Sequence, residues 1–187
     1  MDMARMLELL SLQRHDFLNH LQVISGLLQL NKEDRAREYI REVTRDIVRL
    51  SRVVHLKVPE VAAAFLIAHH RFADHDIEVH YDVQADLAGC AVPGKELGPV
   101  LEDVLQNIVE YLAPVENTER DLFIKINRSG RDYECIFSFN TMSGGRCYNG
   151  RETIQRVEER LAPYWGKLDG NVGDRKCHIV MFLPAGE

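Results

Sequence analysis

Apolar residues recur in steps of three and four from the start of the chain. Met3, Leu7, Leu10, Phe17, Leu21, Ile24 and Leu28 form one stripe and predict a long helix over residues 2–30. Asn31-Lys32-Glu33-Asp34 is the only turn signal before the pattern resumes. The connection is therefore short, and a second helix over Glu33–Leu56 runs back antiparallel to the first. Its stripe is Ala36, Tyr39, Ile40, Val43, Ile47, Leu50 and Val54. Arg35, Arg37, Glu38, Arg41, Glu42, Arg45, Asp46 and Arg49 fill the outer faces as a solvated, mutually paired surface. A hairpin of this length cannot bury its own stripe. Either a second copy covers it, making a four-helix bundle, or residues 57–187 fold over it in cis.

Pro59 marks a change of pattern, and the chain divides there into 1–57, a helical hairpin, and 58–187. A short apolar helix over Val61–Phe72 precedes a strand over Ile77–Val83, where polar and apolar residues alternate. Cys90–Gly94 is a loop turning at Pro93-Gly94. Glu96–Leu112 is amphipathic, with Leu97, Val100, Leu101, Val104, Leu105, Ile108 and Leu112 on the core side. Asp121–Asn127 and Asp132–Phe139 are strands around Ser129-Gly130, a hairpin. Arg151–Leu161 is a helix stopped near Pro163. Lys167–Asp169 and Lys176–Leu183 are the last strands, with Gly170–Gly173 as a turn region. This order predicts a two-layer α/β sandwich with helices on one face of a mixed sheet. The fold class is α + α/β, a helical hairpin followed by the sandwich.

Composition narrows the function classes. A net charge of −6 over 187 residues argues against nucleic acid as partner. No apolar run approaches the ~20 residues of a membrane span, the longest being 61–68. The N-terminus does not read as a signal peptide, and a cytoplasmic location is expected. Cys90, Cys135, Cys147 and Cys177 form no Cys-x-x-Cys pair and read as reduced, buried residues.

Among the eight histidines, His15 stands out. It follows Arg14, which breaks the stripe, and at ~100° per residue it points roughly 140° away from the stripe's mean direction. It is therefore held outward on a helix with a carboxylate, Asp16, beside it. A neighbouring acceptor can take the proton on one ring nitrogen and leave the other free to attack. On spacing alone an ordinary exposed histidine is the simpler explanation of the position. His20, five residues on, points to another side. His69, His70, His75 and His80 lack the spacing of a metal set.

Arg14-His15-Asp16-Phe17-Leu18-Asn19-His20-Leu21-Gln22-Val23-Ile24, followed by Gly26-Leu27-Leu28-Gln29-Leu30, resembles the phospho-acceptor box of two-component histidine kinases. It is most similar to the branch holding the citrate/fumarate-type sensors and the sporulation initiation phosphotransferase B family. The resemblance implies that His15 carries a phosphoryl group. Asp16 would then fix its tautomer, Asn19 would line the docking surface, and Arg14 would either hold the phosphoryl oxygens or the regulator's acidic pocket or merely snorkel from the bundle edge. It implies a homodimeric four-helix bundle. The rest of the chain resembles, in reduced form, the ATP-binding domain of those kinases.

In that domain the resembled pattern is broken. Asn107 matches the first of two asparagines four apart, but Tyr111 stands where the second, metal-coordinating one belongs, and a phenol is no inner-sphere magnesium ligand. Asn140 replaces an aspartate, Met142 replaces a glycine, and only Gly144 matches. Cys147–Thr153 keeps just Gly150, which leaves no phosphate-cradling loop. The expectation is a phosphorelay phosphotransferase working between response regulators and not dependent on ATP. It would hold no cofactor or metal of its own, Mg2+ arriving with the regulator. An active histidine kinase with unorthodox loops and a non-catalytic regulator-binding protein are the alternatives.

Overall fold

The computed structural model describes residues 3–114, 120–140, 151–172 and 176–186. Met142, Gly144, Cys147, Gly150 and Gly173 lie outside the described residues.

Helix α1 (Met3–Gln29) closes by donating Lys32 N–H to the Leu27 carbonyl (2.9 Å) and Asn31 N–H to the Leu28 carbonyl (3.0 Å). Asn31 takes φ 55°, the left-handed position that this closure requires and that asparagine tolerates. Helix α2 (Glu33–Val54) starts at once, with Glu33 and Asp34 in its first turn, where carboxylates oppose the positive helix end. The hairpin therefore forms as its sequence pattern requires, but its stripe stays open. Leu7, Leu10, Phe17, Leu21 and Leu28 of α1 and Ile40, Ile47 and Val54 of α2 are exposed, Phe17 and Ile47 at 62% each. Residues 57–187 cover the end of the hairpin, where Val53 and Leu56 enter the core and Leu50 packs against it, and they reach α1 at Asp16 through His70.

Helix α3 (Pro59–Ala73) begins with proline at its first position, where the missing N–H costs nothing. Its near-continuous apolar run, Val61–Phe65 with Ile67, Ala68 and Phe72, is buried on several sides. Helix α4 (Gly94–Leu112) packs on it closely. A Cβ at Gly98 would stand 2.8 Å from the Glu60 Cβ and 3.0 Å from its carbonyl oxygen, so glycine sets this approach. Helix α5 (Arg151–Leu161) completes the layer.

The sheet holds β1 (Glu78–Val83), β2 (Asp121–Ser129), β3 (Asp132–Asn140), β4 (Lys167–Val172) and β5 (Lys176–Leu183), in the order β1-β2-β3-β5-β4. β1 and β2 are parallel, joined through α4, and the other pairs are antiparallel. Alternate residues face the helices: Leu122, Ile124 and Ile126 of β2, Cys135, Phe137 and Phe139 of β3, Ile179, Met181 and Leu183 of β5. The mixed two-layer sandwich expected from the element order is the fold observed.

Three strands run further than the pattern indicated, β3 by the single residue Asn140. β2 continues to Ser129, which pairs with Asp132 around Gly130-Arg131, and Gly130 takes φ 64° at the first turn position. β4 does not stop at Asp169. Gly170 looks like a turn residue in sequence but pairs with Ile179 inside the strand. The Ile154 Cδ1 of α5 lies 3.0 Å from where its Cβ would be, so this glycine admits a helix rather than a turn. Cys135 and Cys177 are buried and free, and Cys90 is half-buried and free.

Phe137 is fully buried in this layer. Phe137→Ala should lower the unfolding free energy by ~3–5 kcal/mol, read as a lower urea midpoint with an unchanged slope.

Candidate functional site

Helix α1 presents His15, Asp16 and Asn19 on one side of the hairpin, while Arg14 stands in the line of the apolar stripe. The His15 side chain is 68% exposed. Asn19, one turn on, brings its side-chain nitrogen to 3.1 Å from His15 Nδ1. Asp16 Oδ1 lies 3.8 Å from the same Nδ1, beyond hydrogen-bond reach but close enough to act electrostatically. The other oxygen, Oδ2, is 3.1 Å from Nδ1 of His70, which comes from α3. The two imidazoles stand edge to face at 6.5 Å. Arg14 is exposed and has no partner among the described residues, and neither has His15 Nε2.

His15 Nδ1 is thus enclosed and Nε2 is open. With the Asn19 nitrogen toward the ring, Nδ1 accepts and the proton sits on Nε2. With that amide turned by 180°, its oxygen accepts from Nδ1–H and Nε2 carries the lone pair. The Asp16 carboxylate favours the second state, because negative charge beside Nδ1 stabilises a proton there and the cation that follows attack at Nε2. At this exposure the attraction is on the order of 1 kcal/mol. Asp16 therefore biases the ring rather than dictating its state.

His20 does point elsewhere. Its Nδ1 is 2.9 Å from the Tyr39 hydroxyl of α2, tying the hairpin together. Burial, reinforced by Glu42, pushes the Tyr39 phenol up from its ordinary value. His69 pairs its Nδ1 with the Tyr81 hydroxyl at 3.3 Å beneath the site. Burial pushes this imidazole down, against the opposing pull of Asp46 and Asp16. His70 is the site residue that sequence reasoning missed. Its one signal was the pair His69-His70 on an otherwise apolar helix, and no spacing rule connects it to His15.

Asn107 of α4 is half-buried, and its Oδ1 is shielded from water with no hydrogen-bond partner among the described residues. Tyr111, one turn on, is buried with its ring 5.6 Å from that of Phe139. That turn of α4 thus presents an aromatic ring to the core. Asn140 ends β3 opposite Lys176. On the outer sheet face the parallel register sets Glu78 opposite Asp121, and both lie 3.8 Å from His80 Nε2. These three have ligand atoms within 4.8 Å of one another, a grouping that histidine spacing did not suggest. Arg49 already takes Glu78 Oε1 at 3.1 Å.

A helical hairpin carrying an outward histidine, joined to a helix-covered mixed sheet, is the architecture of a histidine kinase core. The structure of Acinetobacter baumannii histidine kinase AdeS matches with a TM-score of 0.50 over 92% of this chain and 98% of that one, at 10% identity, a likeness of fold. Residues 1–56 match the family described as Sensor kinase SpoOB-type, alpha-helical domain. Sporulation initiation phosphotransferase B of Bacillus subtilis (strain 168) is 31% identical over 131 residues, which are 70% of this chain and 66% of that protein. The match thus spans just under two thirds of that relative's length. The chain belongs to the sporulation initiation phosphotransferase B family. Among the described residues no helix is long and apolar enough to cross a membrane.

Because burial depresses His69, the unfolded chain binds a proton that the folded chain refuses. The stability this contributes is full above the unfolded-state value of about 6.5 and is lost as pH falls below it. Urea midpoints measured across that range should fall on acidification, and more steeply for the wild type than for His69→Gln.

Proposed function

We propose that this chain is a phosphorelay histidine phosphotransferase that moves a phosphoryl group between response-regulator aspartates through His15. The observation that carries the proposal is the open Nε2 of an exposed histidine whose Nδ1 side is occupied by Asn19 and Asp16. With the proton on Nδ1, the Nε2 lone pair attacks the phosphorus of a regulator's aspartyl phosphate in line. The N–P bond forms as the acyl-phosphate P–O bond breaks, and that electron pair returns to the regulator's carboxylate. The His15 ring becomes cationic, and Asp16 offsets its charge until the reverse step onto a second aspartate. Arg14, exposed and unpartnered among the described residues, is available to the phosphoryl oxygens or to the acidic pocket of the regulator. Mg2+ belongs to the regulator in this scheme.

The division we propose is 1–57 for dimerisation and phosphotransfer and 58–187 as an ATPase-like domain that no longer uses ATP. Tyr111, packed against Phe139, supports that loss. The open apolar stripe supports a homodimer in which two hairpins make a four-helix bundle. Both copies of His15 then lie on its outside, accessible to regulators in the cytoplasm. Such a docking surface need be only modest in area, since the partners must part after transfer.

Labelled phosphate offered separately as ATP and as a phosphorylated response regulator tests this directly. Acid-labile label should reach the wild type from the regulator alone and be absent from His15→Gln. Label from ATP alone would make the chain a kinase, and label retained by His15→Gln would remove His15 from the mechanism.

A further inference from the structure

The His15 site is built from both parts of the chain. Asp16 sits on an exposed turn of α1, where a short side chain has several rotamers available. His70 limits that choice. It is only 19% exposed, against 68% for His15, and it projects from α3, whose neighbouring residues Ile67, Ala68 and Phe72 are buried in the core. Its Nδ1 lies 3.1 Å from Asp16 Oδ2, a close polar contact with the carboxylate oxygen other than the one nearest His15. The remaining oxygen then faces His15 Nδ1 at 3.8 Å. The arrangement is a carboxylate held between two imidazoles. One is anchored in the core, and the other is presented to solvent.

We propose that His70 is a positioning residue for phosphoryl transfer at His15: by fixing Asp16 from α3, it keeps the His15 proton on Nδ1 and the lone pair on Nε2. The inference rests on the reading of His15 as the phosphoryl acceptor. His70 itself does not touch the reacting atoms and exchanges no proton in the transfer. A carboxylate free to rotate would leave the Asn19 amide to select either tautomer, and the attacking population would fall. Through this contact the seating of α3 against α1 becomes a condition for a competent His15, which gives the sandwich a role in transfer that needs no nucleotide.

The test uses the full chain with 15N-labelled histidine. The His15 ring signals are assigned by their loss in His15→Gln, and the tautomer ratio is read at about pH 8, where imidazoles are neutral. The wild type should favour Nδ1–H. His70→Leu should shift the ratio toward Nε2–H and slow phosphoryl uptake from a phosphorylated regulator by roughly fivefold, the full scale of the Asp16 attraction it would release, with regulator affinity unchanged. His70→Asn, which offers an amide N–H close to the place of Nδ1, should restore both ratio and rate. Should His70→Leu fail to fold, Asp16→Asn must give the same tautomer shift and rate loss, and adding His70→Asn to it must change neither. An unchanged His15 tautomer in His70→Leu, or a shifted tautomer with a wild-type transfer rate, overturns the inference. A wild type that shows the tautomer bias but takes no label on His15 overturns the acceptor reading instead, so the two failures are distinguishable.

Discussion

The structure depends most on an apolar stripe that the chain does not cover. Phe17, Leu21, Ile40 and Ile47 run along the α1–α2 hairpin and remain open, while the sandwich closes only over Val53 and Leu56. Burying a side chain of this size contributes ~1.5–3 kcal/mol, and association of two chains costs ~4–15 kcal/mol. A few contacts at one end could not offset that cost, whereas the whole stripe can. A second hairpin is the cover we propose, since it would bury the stripe along its length. The same helical phase that turns the stripe inward turns His15 outward, so packing and chemistry are set by one periodicity.

The sandwich contributes to the site in a different way. The histidine-kinase-like layer keeps its sheet, its α4 core and a half-buried Asn107. At Tyr111 it carries a buried aromatic ring where nucleotide chemistry would require an amide. Part of its contact with the hairpin runs through α3, where His70 reaches Asp16 and burial pushes the His69 imidazole down.

The hairpin, the succession of helices and strands along the chain and the outward His15 were legible because each depends on local periodicity. Steps of three and four place Leu21 and His15 on different sides without any tertiary knowledge. Turn chemistry was legible at Asn31, where asparagine accepts the left-handed backbone. It misled at Gly170, because a glycine that makes room for Ile154 has the same letter as one that turns the chain. His70 was not legible as a partner of Asp16, nor were Glu78 and Asp121 as neighbours of His80. In each case the residues meet only through packing or strand register, and no sequence spacing records that. The expectations placed on Met142, Gly144 and Gly150 fall outside the described residues.

The mass in solution tests the central constraint most directly. Sedimentation equilibrium of the full chain at micromolar concentration should give twice the 21.5 kDa mass of one chain, as expected if a second hairpin closes the stripe. A stable, folded species at 21.5 kDa across that range would contradict the account. The open face of α1 and α2 would then need another cover, and the placing of His15 on the outside of a bundle would lose its physical basis.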